Sequence, residues 1–222
     1  MKTFQRLTVA AICLTSIVFA DDLTPPPWRG TDPSWTVQEW EFFTPAVPQL
    51  PDGNMWGSNG VGYVNPFGTP MLTSVGSSPW TSAWGSRLGA FVMIDPQATL
   101  TFDIPNGADP NGSKLIRVQA TWNPVFTGAG LLNASINAPG GPFNPVQRVD
   151  THLSEGFIHS SFDFVLPTCP AIEQVSLTHA LDTVLVDQVV VDTICVVPEP
   201  ATMLALTTGV VGLVARRRRR GR

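Results

Sequence analysis

Two-residue alternation between apolar and polar side chains, repeated in one segment after another, is the strongest constraint on what this chain can fold into. Leu88, Ala90, Val92 and Ile94 alternate with their neighbours, and Ala98, Leu100, Phe102 and Ile104 do so opposite Thr99, Thr101 and Asp103. Ile116, Val118, Ala120 and Trp122 alternate with Arg117, Gln119 and Thr121. Ile158, Ser160, Phe162, Phe164 and Leu166 alternate with His159, Ser161 and Asp163. Successive side chains of a strand point to opposite faces, so these segments are expected to be half-buried strands. Further strands are expected at Trp35 to Phe43, Leu131 to Ile136, Ile172 to Thr178 and Thr183 to Val197. No body segment carries helical periodicity, and no βαβ rhythm is present. The expectation is an all-β fold, an antiparallel β-sandwich of the jelly-roll type. The lead Leu23 to Trp28 holds three consecutive prolines and is expected to be extended. Pro45 to Trp84, rich in Gly, Pro, Asn and Ser, reads as one long irregular stretch.

Both ends of the chain read as processing segments rather than as fold. Lys2 and Arg6 precede an uncharged apolar run, Leu7 to Phe19, and Val18-Phe19-Ala20 suits a signal peptidase. That run is too short for a bilayer core of about 30 Å, so residues 1–20 are expected to be a cleaved secretory signal. A lipoprotein signal using Cys13 is the rival reading. The exported domain is then 21–197, and 198–222 is a separate tail.

Charge excludes one class of function. Arg29, Arg87, Lys114, Arg117 and Arg148 face sixteen acids in the body, a net charge of −11. Such a surface repels phosphate backbones, so nucleic acid is not an expected partner. Export leaves two cysteines, Cys169 and Cys195, in a compartment where they can pair. A disulfide and two separate buried thiols both remain open at this level.

The tail has three parts in a fixed order. Pro198, Glu199 and Pro200 come first, then the uncharged run Ala201 to Ala215, then Arg216, Arg217, Arg218, Arg219 and Arg220. As a helix the apolar run would be about 22 Å long. That length is short for a membrane helix unless the arginines snorkel and the bilayer thins. The arginines would stay cytoplasmic, with the body outside. The arrangement resembles the PEP-CTERM sorting signal of Gram-negative bacteria. The resemblance implies that an exosortase recognises Pro198, Glu199 and Pro200 and processes the chain. It also implies an inner-membrane stage through the tail helix, then the cell surface or the extracellular matrix of a biofilm, in company with extracellular polysaccharide. An ordinary tail anchor with a polybasic flank is the plain alternative. Val184 to Val191 is similar to the closing strand of galactose-binding-like jelly rolls, in which an acid precedes a Val-x-Val strand.

Chemistry-bearing motifs are scarce. His152, Glu155 and His159 lack metal-ligand spacing and read as loop or solvent-facing strand residues. Ser160 could join a triad on paper only. Glu39 and Glu41 sit two apart and could share a strand face, an arrangement that chance also supplies. Asp182, Asp187 and Asp192 could contribute to a structural calcium site, but Asp187 and Asp192 would face opposite ways in a regular strand. No metal or cofactor is otherwise expected. Tryptophans 35, 40 and 122 are assigned to the core, whereas Trp56, Tyr63, Trp80 and Trp84 are candidate ligand-binding aromatics. The function expected is that of an exported, exosortase-sorted surface or matrix protein without catalytic activity. The alternatives are a carbohydrate-binding module and, from another class, a polysaccharide hydrolase or lyase.

Overall fold

A computed structural model describes residues 22–31, 34–56, 65, 67–126, 131–180 and 183–197, with backbone alone at 53–56. The signal segment, Tyr63, Asp182 and the tail from Pro198 onward lie outside the described residues, and so does the side chain of Trp56. Among the described residues no helix is long and apolar enough to cross a membrane, and the expected tail helix is not among them.

Two antiparallel sheets face each other, as the alternation demands. The strands are β1 (Thr36–Trp40), β2 (Gly53–Trp56), β3 (Met71–Val75), β4 (Trp80–Trp84), β5 (Arg87–Met93), β6 (Thr99–Pro105) and β7 (Ser113–Pro124). There follow β8 (Leu132–Ala138), β9 (Gly141–Phe143), β10 (Gln147–His152), β11 (Ile158–Leu166), β12 (Ile172–His179) and β13 (Val184–Val196). One sheet runs β10-β11-β7-β13-β1-β2, with β5 also on β13 and β4 on β5. The other runs β3-β6-β12-β8-β9. Trp40, Phe102, Val118, Trp122, Phe162, Leu177 and Val189 are among the buried side chains that fill the space between them. Trp40 meets Phe102 edge-on at 4.8 Å. Trp35, Trp40 and Trp122 are all buried.

The stretch from Pro45 to Trp84 is not irregular throughout: it contains β2, β3 and β4. What hid β4 is its short, polar middle. Its partner is supplied by a two-residue connection, Gly85-Ser86, between Trp84 and Arg87. Gly85 has φ +62°, as a Gly-first hairpin turn requires.

The outer face of the larger sheet is covered, which changes the setting of several polar residues. The proline-rich lead lies across it. Thr24 bonds to the Gln119 side chain, and Arg29 bonds to both Asp22 and Asp192. Arg117 clamps Asp163 with two bonds of 2.6 and 2.7 Å and also holds the Thr24 carbonyl. His159, expected to face solvent, is therefore buried. Its ring nitrogens lie 3.1 Å from the Thr121 hydroxyl and 3.3 Å from that of Thr24. Burial lowers its pKa.

Cys169 and Cys195 form a disulfide across 26 residues of chain, tying the end of β13 to the turn before β12. A loop of that length is worth about 3 kcal/mol through the unfolded chain. Reduction should lower the chemical-denaturation midpoint accordingly. Two free thiols in the mass of unreduced exported protein would contradict the bond.

Candidate functional site

Two places on the sandwich carry features beyond packing. The first is the exit of the tail. β13 lies between β7 on one side and β1 with β5 on the other, and it is the longest strand among the described residues. It ends at Val196, one residue after the disulfide-bonded Cys195. β13 is thus held by hydrogen-bond ladders on both sides up to the point where the tail begins.

Comparison with known proteins bears on this exit. Residues 196–220 match the family model described as the PEP-CTERM protein-sorting motif. The chain carries a PEP-CTERM sorting motif. The match starts on the last residue of β13, so the PEP-CTERM segment follows the folded body with no spacer strand or linker between them. The motif implies export, a membrane-anchored stage and processing by an exosortase. Pro198, Glu199, Pro200 and Arg216 to Arg220 fall within the matched residues and outside the described ones. No curated protein matches the chain. Among solved structures, the enzymatically active domain of tailspike protein 4 from bacteriophage CBA120 is similar over 60% of this chain, at 14% identity and a TM-score of 0.34. The chain spans 20% of the length of that structure, and a likeness so slight carries no argument.

The second place is a fork in the larger sheet. Val184 to Val186 of β13 pair with β5, whereas Val189 to Thr193 pair with β1. The register with β7 shifts between Val186 and Gln188, so Asp187 is the extra residue of a β-bulge. A bulge bends its strand and re-aims side chains. Here β1 and β5 part around it and leave a cavity of about 340 Å³ lined by Glu41, Phe43, Arg87, Leu88, Asp187 and Gln188, among others. The bulge also breaks the parity expected of a regular strand. Gln188 pairs with Thr121 and Asp192 with Arg117, whereas Asp187 has no partner on β7, so the strict alternation expected between Asp187 and Asp192 does not apply.

Electrostatics at the fork are dominated by carboxylates withdrawn from water. Burial pushes Glu39 up to about 8, with help from the charges of Glu41 and Asp22, although Gln188 donates a hydrogen bond to it. Burial likewise pushes Asp187 up to about 6, against the pull of Arg87, whose Nη1 lies 2.6 Å from Asp187 Oδ2. The Arg87 guanidinium stacks 4.5 Å over the Phe157 ring.

Backbone strain flanks the cavity on two sides. Phe42 has φ +55°, unusual for a bulky side chain. Its ring is buried edge-on to Phe91, and its carbonyl accepts a 2.6 Å bond from Trp80 Nε1. Gly89 packs so tightly on that carbonyl that a Cβ there would lie 2.2 Å from the oxygen. Anchoring Phe42 inward turns Phe43 out, and Phe43 is 53% exposed. Glu155, φ +58°, accepts bonds of 3.1 Å from both the backbone N–H and the hydroxyl of Ser86, which fixes the β4–β5 turn. These bonds lower the Glu155 pKa.

The sequence candidates distribute unevenly over these places. Trp84 is 39% exposed and sits opposite Arg87 in the β4–β5 pairing. Trp80 is half-buried and packs on the core. Ser160 and His159 lie on opposite faces of β11, so these two do not meet; the Ser160 hydroxyl donates to Asp150 at 2.6 Å and accepts from Trp122 Nε1 at 2.8 Å. Asp187 and Asp192 are each tied to a different arginine. Among the described residues no three His, Cys, Asp or Glu side chains are grouped to hold a metal ion. Phe43, Arg87, Leu88 and Gln188 were not candidates from sequence. Only the break in alternation at Asp187-Gln188 could have pointed to them.

Proposed function

We propose that this is a non-catalytic display protein, exported, sorted by an exosortase and delivered to the cell surface or the extracellular matrix. The observation that carries this reading is the sorting motif beginning on the last residue of the central strand. A body joined so directly to its sorting segment is presented close to the membrane until processing, with the Cys169–Cys195 bond holding the end of β13. The body is read as a jelly roll. The orders β5-β13-β7-β11 and β6-β12-β8-β9 in the facing sheets support that reading, since they are those of two interleaved Greek keys.

The test is removal of residues 198–222. The truncated chain is expected to be exported but misrouted, absent from the surface fraction that holds the intact protein. Normal surface display of the truncated chain would overturn the reading.

A further inference from the structure

The fork cleft at the Asp187 bulge combines features that packing alone does not call for. It is a cavity within the size range of small-ligand sites, about 340 Å³. Its polar floor offers both acceptors and donors: the carboxylates of Glu41 and Asp187, the guanidinium of Arg87 and the amide of Gln188. Its rim is apolar and open to water, with Phe43 53% and Leu88 66% exposed. Phe43 and Leu88 thus place an apolar contact beside groups that can hydrogen-bond, the combination found in ligand sites. Both non-glycine residues with positive φ among the described residues stand at its edges, Phe42 beside Phe43 and Glu155 beside Ser154, and such strain gathers at ligand clamps.

We propose that this cleft binds one ring of a neutral glycan chain, with the C–H face of the ring on Phe43 and Leu88 and its hydroxyls on Asp187, Glu41 and Arg87. A pyranose is apolar on its faces and carries hydroxyls, each both donor and acceptor, around its edge. That distribution matches an apolar rim over a floor of mixed donors and acceptors. An anionic ligand does not fit, because carboxylates outnumber the one guanidinium and Asp187 already engages it. A lipid chain does not fit either, because Glu41, Arg87, Asp187 and Gln188 line the same cleft as Phe43 and Leu88. This proposal does not depend on how the chain is sorted, and purified protein tests it.

The test is calorimetric titration of the full chain, held in mild detergent, with cellohexaose, laminarihexaose and mannohexaose, and with a chitosan hexasaccharide as the cationic comparison. The wild-type protein is expected to bind at least one of the neutral hexasaccharides saturably. Phe43→Ala should weaken that binding roughly tenfold, the loss expected for one stacking contact. Leu88→Ser should weaken it in the same direction. Both side chains are exposed, so melting temperatures should be unchanged and lost binding is not lost folding. Absence of heat with all three neutral glycans overturns the proposal. Binding that is unchanged in both variants also overturns it. Binding of chitosan alone overturns it in favour of a cation-selective acidic cleft.

Discussion

The protein should melt at a higher temperature at pH 5 than at pH 8, by roughly 5–10 °C. Four carboxyls carry this expectation. Burial pushes Glu39 to about 8, Glu173 to about 7, and Asp187 and Asp192 to about 6, from ordinary values of 4.5 for Glu and 3.8 for Asp. The folded protein therefore keeps protons that the unfolded chain has already released. Stability from these groups is complete below the ordinary carboxylate range and is lost as pH rises to between 6 and 8. His159, whose buried ring resists protonation, acts in the opposite sense below its ordinary value of 6.5 and reduces the slope. Lys114, whose pKa burial lowers, also acts in the opposite sense, so the expected shift in melting temperature is well below what the four carboxyls would give alone. Glu39→Gln should flatten the profile and melt above the wild type at pH 8. A profile that is flat, or that rises toward pH 8, would contradict the placement of these groups.

Lys114→Ala should destabilise the fold by about 3–5 kcal/mol at pH 8 and by clearly less at pH 5. Lys114 is the second residue of β7, on the inner face, and Glu173 is the second residue of β12 in the opposing sheet. Both side chains are fully buried, with Nζ 3.8 Å from Oε1, and Lys114 Nζ has no hydrogen-bond partner. Each ion is therefore held in the core chiefly by the other. Removing the lysine at pH 8 leaves a buried carboxylate with no compensating cation. At pH 5 the same carboxyl is protonated and its burial costs less. The double replacement Lys114→Met with Glu173→Leu should recover most of the loss, because an apolar pair of similar volume pays no desolvation. Urea denaturation of the three variants at both pH values separates these outcomes. A single-variant loss that is small and independent of pH would show that the pair is not isolated from water.

How much of this was legible in the sequence depended on which faces were buried. Alternation located β5 to β7 and β11 to β13 because each presents an apolar face to the core. It missed β2, β3 and β4 in the stretch read as irregular, where Ser82 and Ala83 of β4 are exposed, and β9 and β10, which lie at sheet edges. It also misjudged the outer face. Polar residues such as Gln119, His159 and Asp192 look solvated in strand pattern, yet the lead from Asp22 to Arg29 folds over them, a tertiary contact that local periodicity does not encode. β12 is a sharper case, since Ile172 is exposed and Glu173 is buried, the reverse of what their side chains suggest. The fork escaped for a related reason. A bulge at one aspartate resets strand parity, and the cleft beside it is built from four separated segments. The tail was legible because its function is read from linear order, with Pro198-Glu199-Pro200, an apolar run and arginines in succession.

The central claim is that the PEP-CTERM tail, not the body, decides where the protein goes. The most direct measurement is intact mass and cell fraction of the protein, wild type and Glu199→Ala, in cells with and without their exosortase. The account predicts that wild-type protein in exosortase-containing cells leaves the membrane fraction with a mass short of the tail. Glu199→Ala, or loss of the exosortase, should leave the tail attached and the protein in the membrane fraction. The same mass and the same location in all four samples would contradict it.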